Sequence, residues 1–251
     1  KPLVINSIIL LHNQTFAKDL AKELQKINPS VEVIWVSSLA RLLEIPKSTL
    51  EYSRLISFIS GVIVPLPILK SIGYGCYNFH PAPPSRPGFA SMEMAIYEGD
   101  KVFGVTLHAM DELVDTGPIC AFSVFPIDLN MAAFLLHDRV TENLFKLFIQ
   151  SSQMLLNEDP LLELPITWGT RKFTKAQYFS LLRIHEDISQ SDLDLRIRAF
   201  GYDYHHKIKY IDSGEVYEIK NSEMTSETHD LDKFVEIRSH QFIHKRSIVF
   251  A

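Results

Sequence analysis

Three polar side chains, Asn78, His80 and Asp115, stand in a fixed order, each beside a backbone device that can aim it. The surrounding residues read Tyr77-Asn78-Phe79-His80-Pro81, then a proline-rich loop, then Phe103-Gly104-Val105-Thr106-Leu107-His108, then Asp115-Thr116-Gly117-Pro118-Ile119. On a strand, Asn78 and His80 leave the same face. Pro81 biases His80 toward extended backbone, and Pro83, Pro84 and Pro87 stiffen the loop that follows. Such a set suits moving an acyl group onto an amine. The attack creates an oxyanion, and the attacking nitrogen must shed a proton. An amide N–H and an imidazolium are suitable donors to that oxygen. A carboxylate near the imidazole would favour its charged form, orient it and relay the amine proton. Asp115 is the candidate, with Gly117 nearby to permit close backbone approach or a sharp turn. Taken singly, Asn is more often a cap, His a satisfied core residue and Asp-x-Gly a turn.

The elements that must hold these residues follow from periodicity. Strands are predicted over 3–11, 31–36, 55–59 and 76–79, with helices over 15–28, 38–43 and 66–71 between them. Thr15 or Asn13 is the expected cap of the first helix, whose apolar face is Phe16, Leu20, Leu24 and Ile27. A helix over 90–97, strands over 102–109 and 119–125 and a long helix over 132–156 complete the block. Val140, Leu144, Leu147, Phe148 and Leu155 form the long helix's core stripe. Strand and helix in this rhythm indicate an α/β fold with a Rossmann-like, mostly parallel sheet, whose ligands gather at the carboxyl ends of strands. The catalytic domain is expected over 1–160. Residues 161–251 read as a small α+β C-terminal appendage with short helices over 174–182 and 192–200, Gly201 as a C-cap and a hairpin around Asp212-Ser213-Gly214.

Composition excludes several classes. The net charge of −5 argues against a chain built mainly to hold nucleic acid. Cys76 and Cys120 lack CxxC spacing, and Cys76 reads as a small buried strand residue before it reads as a nucleophile. No metal is implied, since the ten histidines are scattered and His205-His206 lacks zinc spacing. The apolar stretch 56–69 contains Pro65 and Pro67 and is too short to span a membrane. Residues 3–11 do not read as a signal peptide, so a cytoplasmic address is expected.

The three quoted segments, in this order and spacing, resemble the folate-dependent formyltransferases. That family includes the glycinamide ribonucleotide, methionyl-tRNA and sugar-nucleotide enzymes and related formyl-folate hydrolases. Ile197-Arg198-Ala199-Phe200 resembles the start of the C-terminal extension in the tRNA and sugar enzymes. The resemblance implies a formyltransferase fold and 10-formyltetrahydrofolate as formyl donor. It assigns catalysis to Asn78, His80 and Asp115. It places the pterin between Gly61-Val62-Ile63-Val64 and the segment 110–114, with Met110, Glu112, Leu113 and Val114. Val62 and Val64 serve as apolar walls, core packing, or both. Thr106 and His108 are expected in support, and Arg86 pairs with an anionic substrate group or lies on the surface.

Departures narrow the acceptor. The turn His12-Asn13-Gln14-Thr15 has no glycine where the purine enzyme cradles a phosphate. The stretch 215–236 is acidic, which disfavours tRNA without excluding it. The expected acceptor is a small-molecule amine, with an amino sugar nucleotide as a candidate. Three alternatives stand beside it: methionyl-tRNA, water (a formyl-folate hydrolase), and a non-catalytic folate-binding or maturation module. The oligomeric state is open.

Overall fold

The computed structural model describes residues 5, 7–12, 16–170, 172–185, 187–201, 208–212, 215–218, 220–221 and 249–250. The sequence readings at Asn13 and Thr15, at Ser213-Gly214, at His205-His206 and over most of 215–236 lie outside them.

In chain order the first elements are β1 (Ser7–Leu11), α1 (Ala17–Ile27), β2 (Glu32–Val36), α2 (Leu39–Leu43), α3 (Lys47–Leu50), β3 (Ser53–Phe58), α4 (Leu66–Ser71) and β4 (Cys76–His80). They continue with α5 (Ser91–Glu98), β5 (Val102–Ala109), β6 (Ile119–Pro126) and α6 (Ala133–Leu155). The last are α7 (Lys175–Leu181), β7 (Arg183–His185), α8 (Gln190–Phe200), β8 (Lys209–Asp212), β9 (Glu215–Glu218) and the short pair β10 (Lys220–Asn221) and β11 (Val249–Phe250).

Six strands form one sheet in the order β2-β1-β3-β4-β5-β6. The pairs from β2 to β4 are parallel; β4–β5 and β5–β6 are antiparallel. This is the mostly parallel α/β sheet that the strand–helix rhythm predicts. One face of its centre packs aromatic rings: Phe58, Phe79, Phe145 and Phe148 meet at centroid distances of 5.3 to 5.8 Å, and Phe16 joins through Phe145 at 5.0 Å. The opposite face packs Ile9, Leu11, Val36, Leu55 and Cys76 against Leu42 of α2 and Leu50 of α3. The stripe Val140, Leu144, Leu147, Phe148 and Leu155 is buried as its spacing predicts.

Arg54 of β3 is fully buried and ties the carboxyl end of α6 to the sheet. Its guanidinium donates to the carbonyls of Tyr74, Met154, Leu155 and Asp159 at 2.8 to 3.1 Å. A cation there satisfies carbonyls that a helix end leaves unpaired.

Several expectations are corrected. α1 starts after Phe16, which offers no side-chain cap. Ile27, placed on the apolar face, is exposed at the helix end. Gly201 does occupy the C-cap of α8, but in right-handed helical conformation, so its left-handed freedom is unused. The short α3 and the strand β7 had no periodicity to announce them.

The chain divides into two compact units that are not contiguous in sequence. The first comprises 1–88, 102–126 and 138–172; the second comprises 89–101, 127–137 and 173–251. This division differs from a linear cut at 160 because 161–172 is bonded into the first unit. Leu161 N–H donates to the Tyr77 hydroxyl and Leu164 N–H to Ile119 O. The second unit packs Tyr97 of α5, Tyr178 of α7 and Phe200 of α8 together, beside a three-stranded sheet β7-β8-β9.

Among the described residues no helix is long and apolar enough to cross a membrane. Among them no group of three or more His, Cys, Asp and Glu side chains is arranged to hold a metal ion.

Candidate active site

The site is built where β4 and β5 run antiparallel. His80 pairs with Thr106 and Asn78 with His108, so all four side chains leave one face of the sheet. A bulge lies beside them: the β5–β6 register shifts between Leu107 and His108, so Cys120 has no partner of its own. Such bulges re-aim the neighbouring side chain.

Asp115 arrives on the loop between β5 and β6. Its Oδ1 lies 3.4 Å from His80 Nδ1 and 3.5 Å from His108 Nε2. Its Oδ2 accepts the Gly88 N–H at 2.9 Å. The residue sits at φ 52, a left-handed conformation that aspartate tolerates better than most. Gly117 returns the loop to the sheet so closely that a Cβ there would lie 2.0 Å from Ala109 O. Only glycine fits, and this close approach holds the carboxylate over the two imidazoles.

His108 Nδ1 lies 2.8 Å from Ala109 O, which assigns the ring proton to Nδ1. Nε2 then accepts from Asn78 Nδ2 at 3.2 Å. His80 Nε2 faces Arg86 O at 3.4 Å. Trp168, which no sequence pattern singled out, stands edge-on to His108 and His80 at ring-centroid distances of 4.9 and 5.6 Å. A tryptophan beside Gly169 in a stretch without periodicity was the available signal.

His80, His108 and Asp115 are only 6%, 3% and 4% exposed. Burial pushes the His80 imidazole below the ordinary histidine range; the Asp115 charge opposes this without overcoming it, and His108 adds to the lowering. The carboxylate does favour the charged imidazole, as expected, but desolvation outweighs it. For Asp115, burial alone would raise the carboxyl. The neighbouring His108 and His80 imidazoles and the Gly88 N–H together overcome it and hold the acid below the usual range. Cys76 and Cys120 are free, buried thiols, pushed up by burial to about 12 and about 11, which removes Cys76 as a nucleophile.

Thr106 is fully buried and donates to Ala82 O at 2.7 Å, so it anchors the proline loop rather than facing open space. Arg86 is 4% exposed, which corrects its reading as a surface residue.

The two segments expected to hold a pterin meet at one cluster. Val62 and Met110 are partly buried against the core cluster that includes Val64, Ile72 and Cys76, and Met110 N–H donates to Cys76 O. Val64 is buried in the core, as one of its two expected roles has it, whereas Ile63, Leu113 and Val114 are 63%, 68% and 53% exposed. Glu112 is exposed, and a Cβ built on Gly61 meets nothing within 4 Å. Ile59 leads into this edge at φ 47, an outlier for a β-branched residue that costs about 1–3 kcal/mol. His12 Nδ1 braces it by bonding Phe58 O.

Residues 51–151 match the family model described as formyl transferase. Methionyl-tRNA formyltransferase of Dechloromonas aromatica (strain RCB) is 31% identical over 143 residues, covering 56% of this chain and 45% of that protein. The chain spans less than half the length of the curated relatives it matches. Among solved structures, a sugar N-formyltransferase from Shewanella sp FDAARGOS_354 has a TM-score of 0.69 at 18% identity, covering 88% of this chain and 99% of that one. The N-formyltransferase from Helicobacter canadensis, in complex with folinic acid and dTDP-3-aminofucose, has a TM-score of 0.59 at 19% identity, covering 84% and 85%. At these identities the structures share the fold.

Proposed function

We infer that this chain, whose residues 51–151 belong to the formyl transferase family, moves a formyl group from 10-formyltetrahydrofolate onto an amine. The observation that carries the reading is the single carboxylate oxygen within 3.5 Å of two imidazoles, one of them bonded to the Asn78 amide. The Helicobacter canadensis protein holds folinic acid, and the exposed apolar Ile63, Leu113 and Val114 suit a flat pteridine here.

Each residue then has a role set by its chemistry. Asn78 and His80 share a strand face and donate N–H groups to the oxygen that gains charge as the amine attacks. His80 is neutral near pH 7, so it donates one proton as a hydrogen bond and does not rely on standing charge. Asp115 stays ionised beside both rings and accepts the amine proton. His108 supports by accepting from Asn78 Nδ2 and so orienting that amide. The proposed acceptor is a small amine, with an amino sugar nucleotide first, as on the Helicobacter canadensis protein's dTDP-3-aminofucose. Methionyl-tRNA is the second reading, favoured by the names of the curated relatives. A cytoplasmic address belongs to this proposal, supported by two free thiols.

Purified His80→Ala and Asp115→Asn variants should lose at least about 100-fold in kcat with 10-formyltetrahydrofolate and amine, while their circular dichroism melts stay cooperative. Near-normal turnover in either variant removes the assignment.

A further inference from the structure

Trp168 has no part in the chemistry described above, yet it lies over both imidazoles. Its position is fixed from two sides. The indole Nε1–H donates to Gly117 O at 2.7 Å, on the loop that carries Asp115. The next residue, Gly169, donates its N–H to Pro84 O at 2.8 Å, on the loop that leaves His80. A Cβ on Gly169 would stand 2.6 Å from Ser85 O, so glycine lets this strap lie close. The strap, residues 161–170, has neither helix nor strand, and Leu162, Glu163, Pro165, Ile166 and Thr167 face solvent. Trp168 alone among the large side chains of 165–170 is turned inward, onto polar groups.

Ordinary core packing would set this ring on apolar neighbours. Here it covers a His–His–Asp cluster whose members are almost without exposure. Resting on the formyl-transfer reading, we propose that Trp168 is a positioning residue that bars water from His80 and Asp115, so that the formyl group passes to an amine and not to water. The two reactions use the same groups. With an amine, nitrogen bonds the formyl carbon, the carbon–nitrogen bond to the folate breaks, and the amine proton passes to the released folate nitrogen. With water, oxygen bonds the same carbon and the same bond breaks, giving formate, tetrahydrofolate and a proton. Nothing in Asn78, His80 or Asp115 distinguishes the nucleophiles, so access decides.

The test uses Trp168→Ala and Trp168→Phe in the full chain, with thermal melts as a folding check. The first readout needs no turnover: site-resolved labelling of histidines by diethyl pyrocarbonate. Trp168→Ala should raise labelling at His80 and His108 by about tenfold or more, while the exposed His137 and His185 serve as unchanged controls. Trp168→Phe, which keeps a ring, should stay close to the parent. The second readout is the ratio of formate to formylated amine, expected to rise about tenfold in Trp168→Ala. Unchanged labelling at His80 and His108 overturns the shield, and raised labelling with an unchanged product ratio overturns its part in choosing the nucleophile. Raised labelling in a protein whose parent forms neither product overturns formyl transfer and leaves the shielding established.

Discussion

The protonation of His80 is decided by a contest between burial and one carboxylate, and the two push in opposite directions. Burial wins, so the folded protein holds a neutral ring. A ring titration followed by NMR should therefore show a His80 midpoint below the ordinary 6.5. In Asp115→Asn the opposing charge is gone, and the midpoint should fall further; a rise would contradict the account. The stability consequence has a definite sign. A histidine whose folded pKa is lowered leaves the unfolded chain binding more protons once the pH drops below about 6.5, so stability falls with acid. His12, also lowered by burial, acts in the same window. Asp115, held below its ordinary 3.8, contributes stability that is lost only at lower pH, as the carboxyl protonates in the folded state. Residue types and spacing made Asn78, His80 and Asp115 legible, because a strand's period of two and an Asp-x-Gly turn are local facts. The charge state of His80 was not legible, because desolvation depends on what lies above the ring.

At the scale of elements, the sheet depends on a buried cation that no pattern announced. Arg54 faces the α6 side of β3, stacks 5.1 Å over Tyr77 and serves four carbonyls across 100 residues of chain. Arg54→Met fills the volume but leaves those carbonyls without donors. Urea unfolding should show a loss of about 3–5 kcal/mol, with the slope of the transition unchanged. A loss below 1 kcal/mol would mean that water replaces the guanidinium at little cost. Most elements were legible for a simple reason: α4 and β5 were read with their observed bounds, since Pro65 and Gly99 punctuate them locally. Arg54 was not, because a charged residue in a strand reads as solvent-facing until the end of α6 is placed against it. The bulge at Cys120 was hidden for a similar reason, since two-against-one pairing needs the partner strand.

On the scale of the molecule, the acceptor turns on the charge field. A chain with net charge −5 repels polyphosphate at long range. Methionyl-tRNA binding that relied on phosphate contacts would need a basic surface and would fall steeply with salt. A small amino sugar nucleotide carries few charges and is held mainly by short-range contacts. Formylation of such an amine should therefore change kcat/KM by less than about threefold between 50 and 200 mM salt. A transfer to methionyl-tRNA in which Z phosphates are neutralised should instead fall with a log–log slope of about −0.9Z. Measuring both acceptors side by side separates the readings. Detectable tRNA formylation with a steep slope, and none of the sugar nucleotide, would replace the first acceptor by the second. It would leave the proposed site untouched, since the roles proposed for Asn78, His80 and Asp115 do not depend on which amine arrives.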